Sequence, residues 1–572
     1  MITDMTRRFH DAAAKMMRGE VSTMPFDPFA VAKATSDYAL SIAMRPQDLM
    51  QVQAAAAQQW GSFWADTLSG KAQDKPRDRR FAAAEWQDDA YFRSLRDAYL
   101  LASEQLREIV AVGEGAESGK DGASEGSPGS SGRAMVTFLL DQYLNAISPS
   151  NHALTNPDVV KRTRETNGGN LVQGFANLLE DISSGKGIVQ RRTDPDAFEK
   201  GVTIAATPGE VVYQNDLFQL IQYTPTTLKV AAEPMLYVPP LVNRYYMIDL
   251  VPRQSLAKWL VDEGRTVFVV SWVNPTAAHK NMSVEHYVLD GVVTAIEQVR
   301  ARTKNAPDLF AFCLGGTLVA IALAWLAARG RGKEAHSATL IGTLVDFADM
   351  RDWSAFVHEG HLDALDKHLE DKGFIDSLEL QRLFAAMRAN DLIWSSVVNH
   401  YLLDKPAPAS DLLYWFEDGA RIPAAFLKSY NRDLLLNNRL RDPAGFEVGG
   451  VAIDLAAIKT PMLVIALKDD HVSAWEAVYR GARLLGAEFL LGGSGHNAGV
   501  INPPAANKHG YWTSEKQPET AADWLEGAAR HEGSWWPHWT SWLNAKGSAK
   551  QVAGREITDG LEPAPGSYAK AP

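Results

Sequence analysis

The chain has 572 residues, 46% hydrophobic and 22% charged, which suffices for a large buried core and for more than one structural unit. A net charge of −12 argues against nucleic acid as a general partner, and a single cysteine excludes intrachain disulfides and cysteine-cluster zinc sites. The opening Met-Ile-Thr-Asp-Met-Thr-Arg-Arg lacks the apolar core of a secretion signal, so the cytoplasm is the expected compartment.

Residues 1 to about 112 are rich in Ala, Gln and Met at helical spacing, as in Pro46 to Leu68 and Ala90 to Val112. Residues 113–132 are mostly Gly, Ser and charged residues, which cannot bury enough apolar surface to order themselves, and read as a flexible linker. Helical patterns resume at Ala134 to Ile147, after Asn156-Pro157, and at Asn170 to Ser184. Residues 1–200 are therefore expected to form a mainly helical N-terminal domain.

From about residue 201 strands and helices alternate. Glu210 to Asn215 and Leu217 to Thr224 read as a hairpin, and Met235 to Val238 as a short apolar strand. A helix over Gln254 to Glu263 precedes a strong strand, Thr266 to Trp272. Further strands are expected at Leu309 to Phe312, Thr339 to Val345, Met462 to Leu467 and Glu488 to Leu491. Apolar strands separated by helices imply a mostly parallel sheet covered on both faces. The gap before Met462 is too long for a crossover and rich in helix formers and aromatics, so about Asp346 to Leu440 is expected to be a cap inserted over the strand ends.

The uncharged run Leu309 to Ala328 has the length of a membrane span. Gly315 and Gly316 interrupt it, and Arg or Lys residues flank both ends without asymmetry, so it reads as soluble core. Within it, the strand Leu309 to Phe312 ends on the only cysteine, Cys313, and a helical segment begins at once. A nucleophile at a sharp strand-to-helix break, with small neighbours such as Ala311 and Gly315, is the nucleophile elbow of α/β-hydrolases. The nearby helix N-terminus favours a thiolate.

A thiol nucleophile needs a base, and the base an orienting group. Met462 to Leu467 runs into Lys468-Asp469-Asp470-His471, and Glu488 to Leu491 into a glycine-rich loop carrying His496. The chain order Cys313, Asp470, His496 is the nucleophile–acid–histidine order of α/β-hydrolases. His471 is a rival base, but its place beside the acid suits a supporting position. Ser494 lacks an elbow setting, and no Gly-x-Ser-x-Gly occurs.

Beyond the elbow, the segments Leu144 to Asn151, Leu154 to Pro157, Asn170 to Val172, Leu178 to Asp181, Gln214 to Leu217, Gln219 to Tyr223, Asn243 to Leu250, Asn390 to Trp394, Asp411 to Trp415, Ser494 to Pro504, Gly533 to Pro537 and Pro565 to Tyr568 together give the chain a close resemblance to the polyhydroxyalkanoate (poly-3-hydroxybutyrate) synthases, specifically the single-polypeptide class I type. The resemblance implies an α/β-hydrolase catalytic domain over 201–572 with an inserted helical cap and the N-terminal helical domain. It implies that Cys313 carries the growing 3-hydroxyacyl chain as a thioester, with His496 as general base. Asp470 would orient His496 or help activate the attacking 3-hydroxyl. The implied oxyanion donors are the backbone N–H of Leu314 and one from the Pro240–Asn243 loop, here taken as Val242.

The implied substrate is an (R)-3-hydroxyacyl-CoA such as 3-hydroxybutyryl-CoA, polymerised with release of CoA and without metal or redox cofactor. The implied partners are the growing polyester and its granule surface, with a homodimer, no nucleic acid and no transmembrane insertion. Ala311 and Val273 stand where the family usually has glycine and arginine. A thioesterase or depolymerase on the same triad, and an inactive granule-binding scaffold, are the alternatives.

Overall fold

The computed structural model describes residues 28–69, 78–112, 128–183 and 192–571, which fall into two compact units. One combines the chain up to Pro195 with Gln381–Ser410; the other combines Asp196–Leu380 with the chain from Asp411 onward. Most of the expected linker, residues 113–127, lies outside the described residues, and the chain is helical from Pro128.

The first unit is helical, with long helices at Pro28–Ala43, Pro46–Ser69, Ala90–Val112 and Pro128–Ile147. Ala90–Val112 buries Arg96, Tyr99 and Ser103 along one face at helical spacing. Tyr99 joins Phe81 and Trp86 in a small core and donates its hydroxyl to the Leu144 carbonyl at 2.8 Å. Helix Gly169–Ser183 receives the Gln381–Ser410 segment through polar contacts. Asn170 donates to the Leu402 carbonyl at 2.6 Å, and the Tyr401 hydroxyl donates to Asp181 at 2.7 Å. A side chain at Gly174 would overlap the Tyr401 carbonyl, so glycine sets how closely the two segments approach.

The second unit is built on one eleven-stranded sheet. In chain order its strands are β1 (Gly209–Gln214), β2 (Phe218–Tyr223), β3 (Met235–Val238), β4 (Val267–Trp272), β5 (Asp308–Phe312), β6 (Ser337–Ile341), β7 (Met462–Leu467), β8 (Glu488–Gly492), β9 (Tyr511–Thr513), β10 (Ala529–His531) and β11 (Glu562–Pro563). Their spatial order is β10-β9-β8-β7-β6-β5-β3-β4-β2-β1-β11. The six strands from β4 to β8 in that order are parallel, and antiparallel strands extend both edges. Strands β3 to β7 are buried at every position, which is why they read as continuous apolar runs rather than alternating ones.

Helix Leu314–Ala328 buries twelve of its fifteen residues. Its lack of a polar face follows from a place inside the protein core. Among the described residues no helix is long and apolar enough to cross a membrane. Several tryptophans are likewise core, and their indole N–H groups tie down loop and strand residues. Trp535 donates to the Gly499 carbonyl at 2.8 Å, Trp536 to Val500 at 3.0 Å, and Trp539 to Thr339 Oγ1 at 2.8 Å.

At the N-terminal end of the parallel strands, Asp308 accepts from His336 Nδ1 and Ser337 Oγ, each at 2.7 Å, and pairs with buried Arg265 at 3.3 Å. The hydrogen bond to Asp308 raises the His336 pKa against the opposing effect of burial. A histidine with a raised folded pKa contributes stability that is fully present below about pH 6.5 and lost as pH rises through the higher folded value. The melting-temperature gap between wild type and His336→Gln should therefore be widest near pH 6 and shrink towards pH 9. A gap that widens with pH would contradict this assignment.

Candidate active site

Because the central strands are parallel, their C-terminal ends lie along one edge of the sheet, where α/β proteins place their sites. Cys313 follows β5 directly with φ 51° and ψ −127°, a conformation non-glycine residues rarely adopt. The turn is held on both sides: Cys313 N–H donates to the Ile341 carbonyl at 2.8 Å, and Gly316 N–H to the Cys313 carbonyl at 2.9 Å. Gly315 is required by close approach, since a Cβ there would lie 2.4 Å from the Val238 carbonyl oxygen and 2.7 Å from that of Pro239. These are backbone atoms of the neighbouring strand and cannot swing aside. Gly315→Ala should therefore cost on the order of 3 kcal/mol and displace the thiol. A lowered denaturation midpoint with slowed alkylation of Cys313 is the expected pair of results, and a midpoint matching wild type would refute it.

Ala311 is fully buried within β5, between Val238 and Leu340 on the flanking strands, so its methyl group is accommodated in regular extended backbone.

Asp470 sits in the turn after β7, its N–H donating to the Leu467 carbonyl at 3.1 Å. Its side chain is fully buried, and Oδ1 accepts from Val472 N–H at 2.8 Å and Ser473 N–H at 2.9 Å. Oδ2 meets His496 Nδ1 at 2.6 Å. Neighbouring Asp469 points to solvent, while its N–H donates to the Ser494 carbonyl at 3.0 Å and ties the acid loop to the histidine loop. His496 is buried against Phe312, with ring centroids 4.7 Å apart.

Burial alone would lower the His496 pKa. The Asp470 carboxylate, and Cys313 both as a charge and as a hydrogen-bond partner, outweigh it and push the value up to about 10. Three side chains from three loops thus meet, with the carboxylate bonded to the imidazole and the thiol among the groups that raise the imidazole's pKa.

His471 lies edge-on to His496 at 6.5 Å between centroids. Leu314 opens the elbow helix, where first-turn N–H groups have no intrahelical acceptor. Val242 lies in the loop after β3, the strand beside β5. That loop is pinned by Trp272 Nε1 on the Pro239 carbonyl at 3.0 Å, and the Val242 carbonyl accepts from Ala420 N–H at 3.2 Å. Val273 follows β4 and donates its N–H to the Leu217 carbonyl at 2.9 Å.

Sequence reasoning missed three contributors. Gly342, at φ 54°, lets the chain pass so close to the relay that a Cβ would lie 3.3 Å from His496 Cε1 and 3.4 Å from Asp470 Oδ2. Its place at the end of an apolar strand was the available signal. Tyr237 on β3 and Tyr430 in the inserted segment are the others. Burial first, and the charge of Cys313 second, push both phenols well above their usual range, which marks them as neighbours of the sulfur. Tyr430 is stacked on Phe426 at 5.6 Å between centroids.

A thiol, an imidazole and a carboxylate beside a helix N-terminus are groups suited to an acyl-transfer site. Comparison with known proteins narrows the class. A family model described as the N-terminus of poly-beta-hydroxybutyrate polymerase (PhaC) matches residues 77–260, and a model of the alpha/beta hydrolase fold matches residues 243–503. A poly(3-hydroxyalkanoate) polymerase of Methylorubrum extorquens is 37% identical over 541 residues, covering 92% of this chain and 87% of that protein. The poly(3-hydroxyalkanoate) polymerase subunit PhaC of Cupriavidus necator is 38% identical over 550 residues, covering 94% of this chain and 90% of that protein. Likeness of this extent, spanning both units, means that the chain belongs to the poly(3-hydroxyalkanoate) polymerase family of acyltransferases.

Proposed function

We propose that the protein polymerises (R)-3-hydroxyacyl-CoA, with 3-hydroxybutyryl-CoA as the expected substrate, through a thioester on Cys313. The observation that carries this reading is the junction of the chain's only thiol with the Asp470–His496 pair at a nucleophile elbow. His496 takes the thiol proton, and the sulfur attacks the thioester carbonyl. The carbon–sulfur bond to CoA breaks, and CoA leaves as the thiol with the proton held by His496. One thioester replaces another, so acylation is close to thermoneutral. The 3-hydroxyl of one unit then gives its proton to His496 and attacks the thioester carbonyl of another, forming an ester; the carbon–sulfur bond breaks and the released sulfur takes that proton back from His496.

Both Asp470 oxygens are engaged by His496 and by backbone N–H groups, which supports an orienting role for the acid over direct contact with the hydroxyl. The N–H groups of Leu314 and Val242 are assigned to the oxyanion that forms at each attack. His471 is assigned a supporting position at the edge of the base. The reading needs no metal or redox group, because thiol, imidazole and N–H donors supply every step. The insoluble product supports a working place at a granule surface, and the family resemblance implies a cytoplasmic homodimer.

Purified protein given 3-hydroxybutyryl-CoA should release CoA and deposit insoluble polyester. Release of CoA with soluble 3-hydroxybutyrate alone would identify a hydrolase instead, and absence of turnover would identify a scaffold.

A further inference from the structure

Three motifs that the triad does not use meet at one buried cation. Arg244 follows the Val242 loop, is 5% exposed, and points its guanidinium at the C-terminal turn. One terminal nitrogen donates to the Tyr568 carbonyl at 3.0 Å and the other to the Ala571 carbonyl at 2.6 Å. Its Nε is buried without a hydrogen-bond partner, with Asp418 at 3.8 Å. Asp418 is shared with Lys200 at 2.9 Å and with the Tyr246 hydroxyl at 2.7 Å, and Lys200 also donates to the Ala569 carbonyl at 3.2 Å. The backbone of Arg244 is held as well: its carbonyl accepts from Trp415 Nε1 at 2.8 Å, and its N–H donates to Asn243 Oδ1 at 2.7 Å.

The turn that receives the guanidinium is itself fixed to the sheet. Tyr568 N–H donates to Gln219 Oε1 on β2 at 3.0 Å, Gln219 Nε2 donates to Ser567 Oγ at 3.0 Å, and the Tyr568 hydroxyl donates to the Asn215 carbonyl at 2.8 Å. Gly566, at φ 78°, lies where a Cβ would stand 2.4 Å from Gln219 Oε1. A continuous chain of contacts therefore runs from β2 through the C-terminal turn and Arg244 to the loop after β3.

We propose that Arg244 is a positioning residue for the acyl-transfer reaction, using the carbonyls of the C-terminal turn to hold the loop whose Val242 N–H is assigned to the developing oxyanion. A surface salt bridge would add little, but a buried guanidinium stripped of its carbonyl partners must move, and the loop moves with it. The inference rests on the proposed acyl-transfer reading and on Val242 as an oxyanion donor.

The test compares wild type with Arg244→Met, Arg244→Lys and Gly566→Ala, the last of which disturbs the turn from its far side. Polymerisation of 3-hydroxybutyryl-CoA is measured beside alkylation of Cys313 by iodoacetamide, which forms no oxyanion. In Arg244→Met and Gly566→Ala, kcat should fall by about ten- to a hundredfold, less than the roughly hundred- to thousandfold cost of removing one oxyanion donor outright, because the donor is displaced and not removed. KM should stay within about threefold, because ground-state binding is untouched. Alkylation should stay within about twofold, because the elbow is untouched. Arg244→Lys, which keeps the charge but not the fork, should fall between. Unchanged kcat in Arg244→Met and Gly566→Ala overturns the proposal, and so does a parallel loss of alkylation in all three variants. A wild type that does not polymerise would instead refute the reaction itself.

Discussion

Replacing Asp470 with asparagine should lower polymerisation by about a thousand- to ten-thousandfold while the fold survives. Asparagine can keep the two backbone N–H bonds at Oδ1, so the turn after β7 has no reason to rearrange. What it loses is the acceptor 2.6 Å from His496 Nδ1. An amide NH2 there opposes a ring N–H, and the imidazole must turn or adopt the other tautomer, in which Nε2 can no longer accept from the thiol. The charge is lost too. Burial lowers the His496 pKa and the carboxylate is the largest influence raising it, so the value of about 10 must fall in the variant.

Two readouts follow. In wild type, the raised pKa stabilises the fold most below about pH 6.5, and that stability is lost as pH rises through about 10. Asp470→Asn should therefore lower the melting temperature at neutral pH and narrow the gap to wild type above pH 10. The pH profile of Cys313 alkylation should also move, because the base that holds the thiol proton is weaker. Turnover within tenfold of wild type would show that Asp470 does not orient the base.

The site was legible because each member sits one loop beyond a strand that is buried throughout or, before His496, at every position but its first. The runs Met235–Val238 and Met462–Leu467 carry no polar residue, and their ends fall where the apolar run stops. Where an apolar run outlasts its strand, the reading failed. The expected strand Thr339 to Val345 is Ser337–Ile341. It begins earlier because Ser337 bonds to Asp308, and it ends earlier because Gly342 leaves extended backbone to pass beside His496 and Asp470.

The outer strands β9, β10 and β11 were not anticipated. They are two or three residues long, partly exposed, and paired antiparallel, so they have none of the apolar runs that mark the central strands. Residues 346 to 440 have one texture in sequence, rich in helix formers and aromatics, yet Gln381–Ser410 packs with the N-terminal helices. Two of the contacts responsible, Asn170 to a carbonyl and Gly174 against a carbonyl, are made to backbone, and a backbone partner leaves no pattern in the sequence. The grip of Arg244 on two carbonyls of the C-terminal turn was hidden for the same reason.

Substitution of Cys313 should have the largest effect of any single change. Cys313→Ala removes the only atom to which an acyl group can be transferred at the elbow, and turnover should fall by about ten-thousandfold or more, as for loss of a nucleophile elsewhere. Cys313→Ser is the more informative variant. It keeps a nucleophile at φ 51° on the same turn, but a hydroxyl holds its proton far more tightly than a thiol, and the ester it forms is a poorer acyl donor than a thioester. Attack by the next 3-hydroxyl then exchanges one oxygen ester for another, without the drop in free energy that drives elongation from sulfur. The serine variant should therefore elongate far more slowly than wild type and accumulate the acyl group as an ester, visible as a mass increase of one hydroxyacyl unit. Because the chain contains no other cysteine, one equivalent of iodoacetamide should silence the wild type in proportion to labelling, and the serine variant should take no label. Elongation by Cys313→Ser at the wild-type rate would place the acyl carrier elsewhere and remove the basis of the whole assignment.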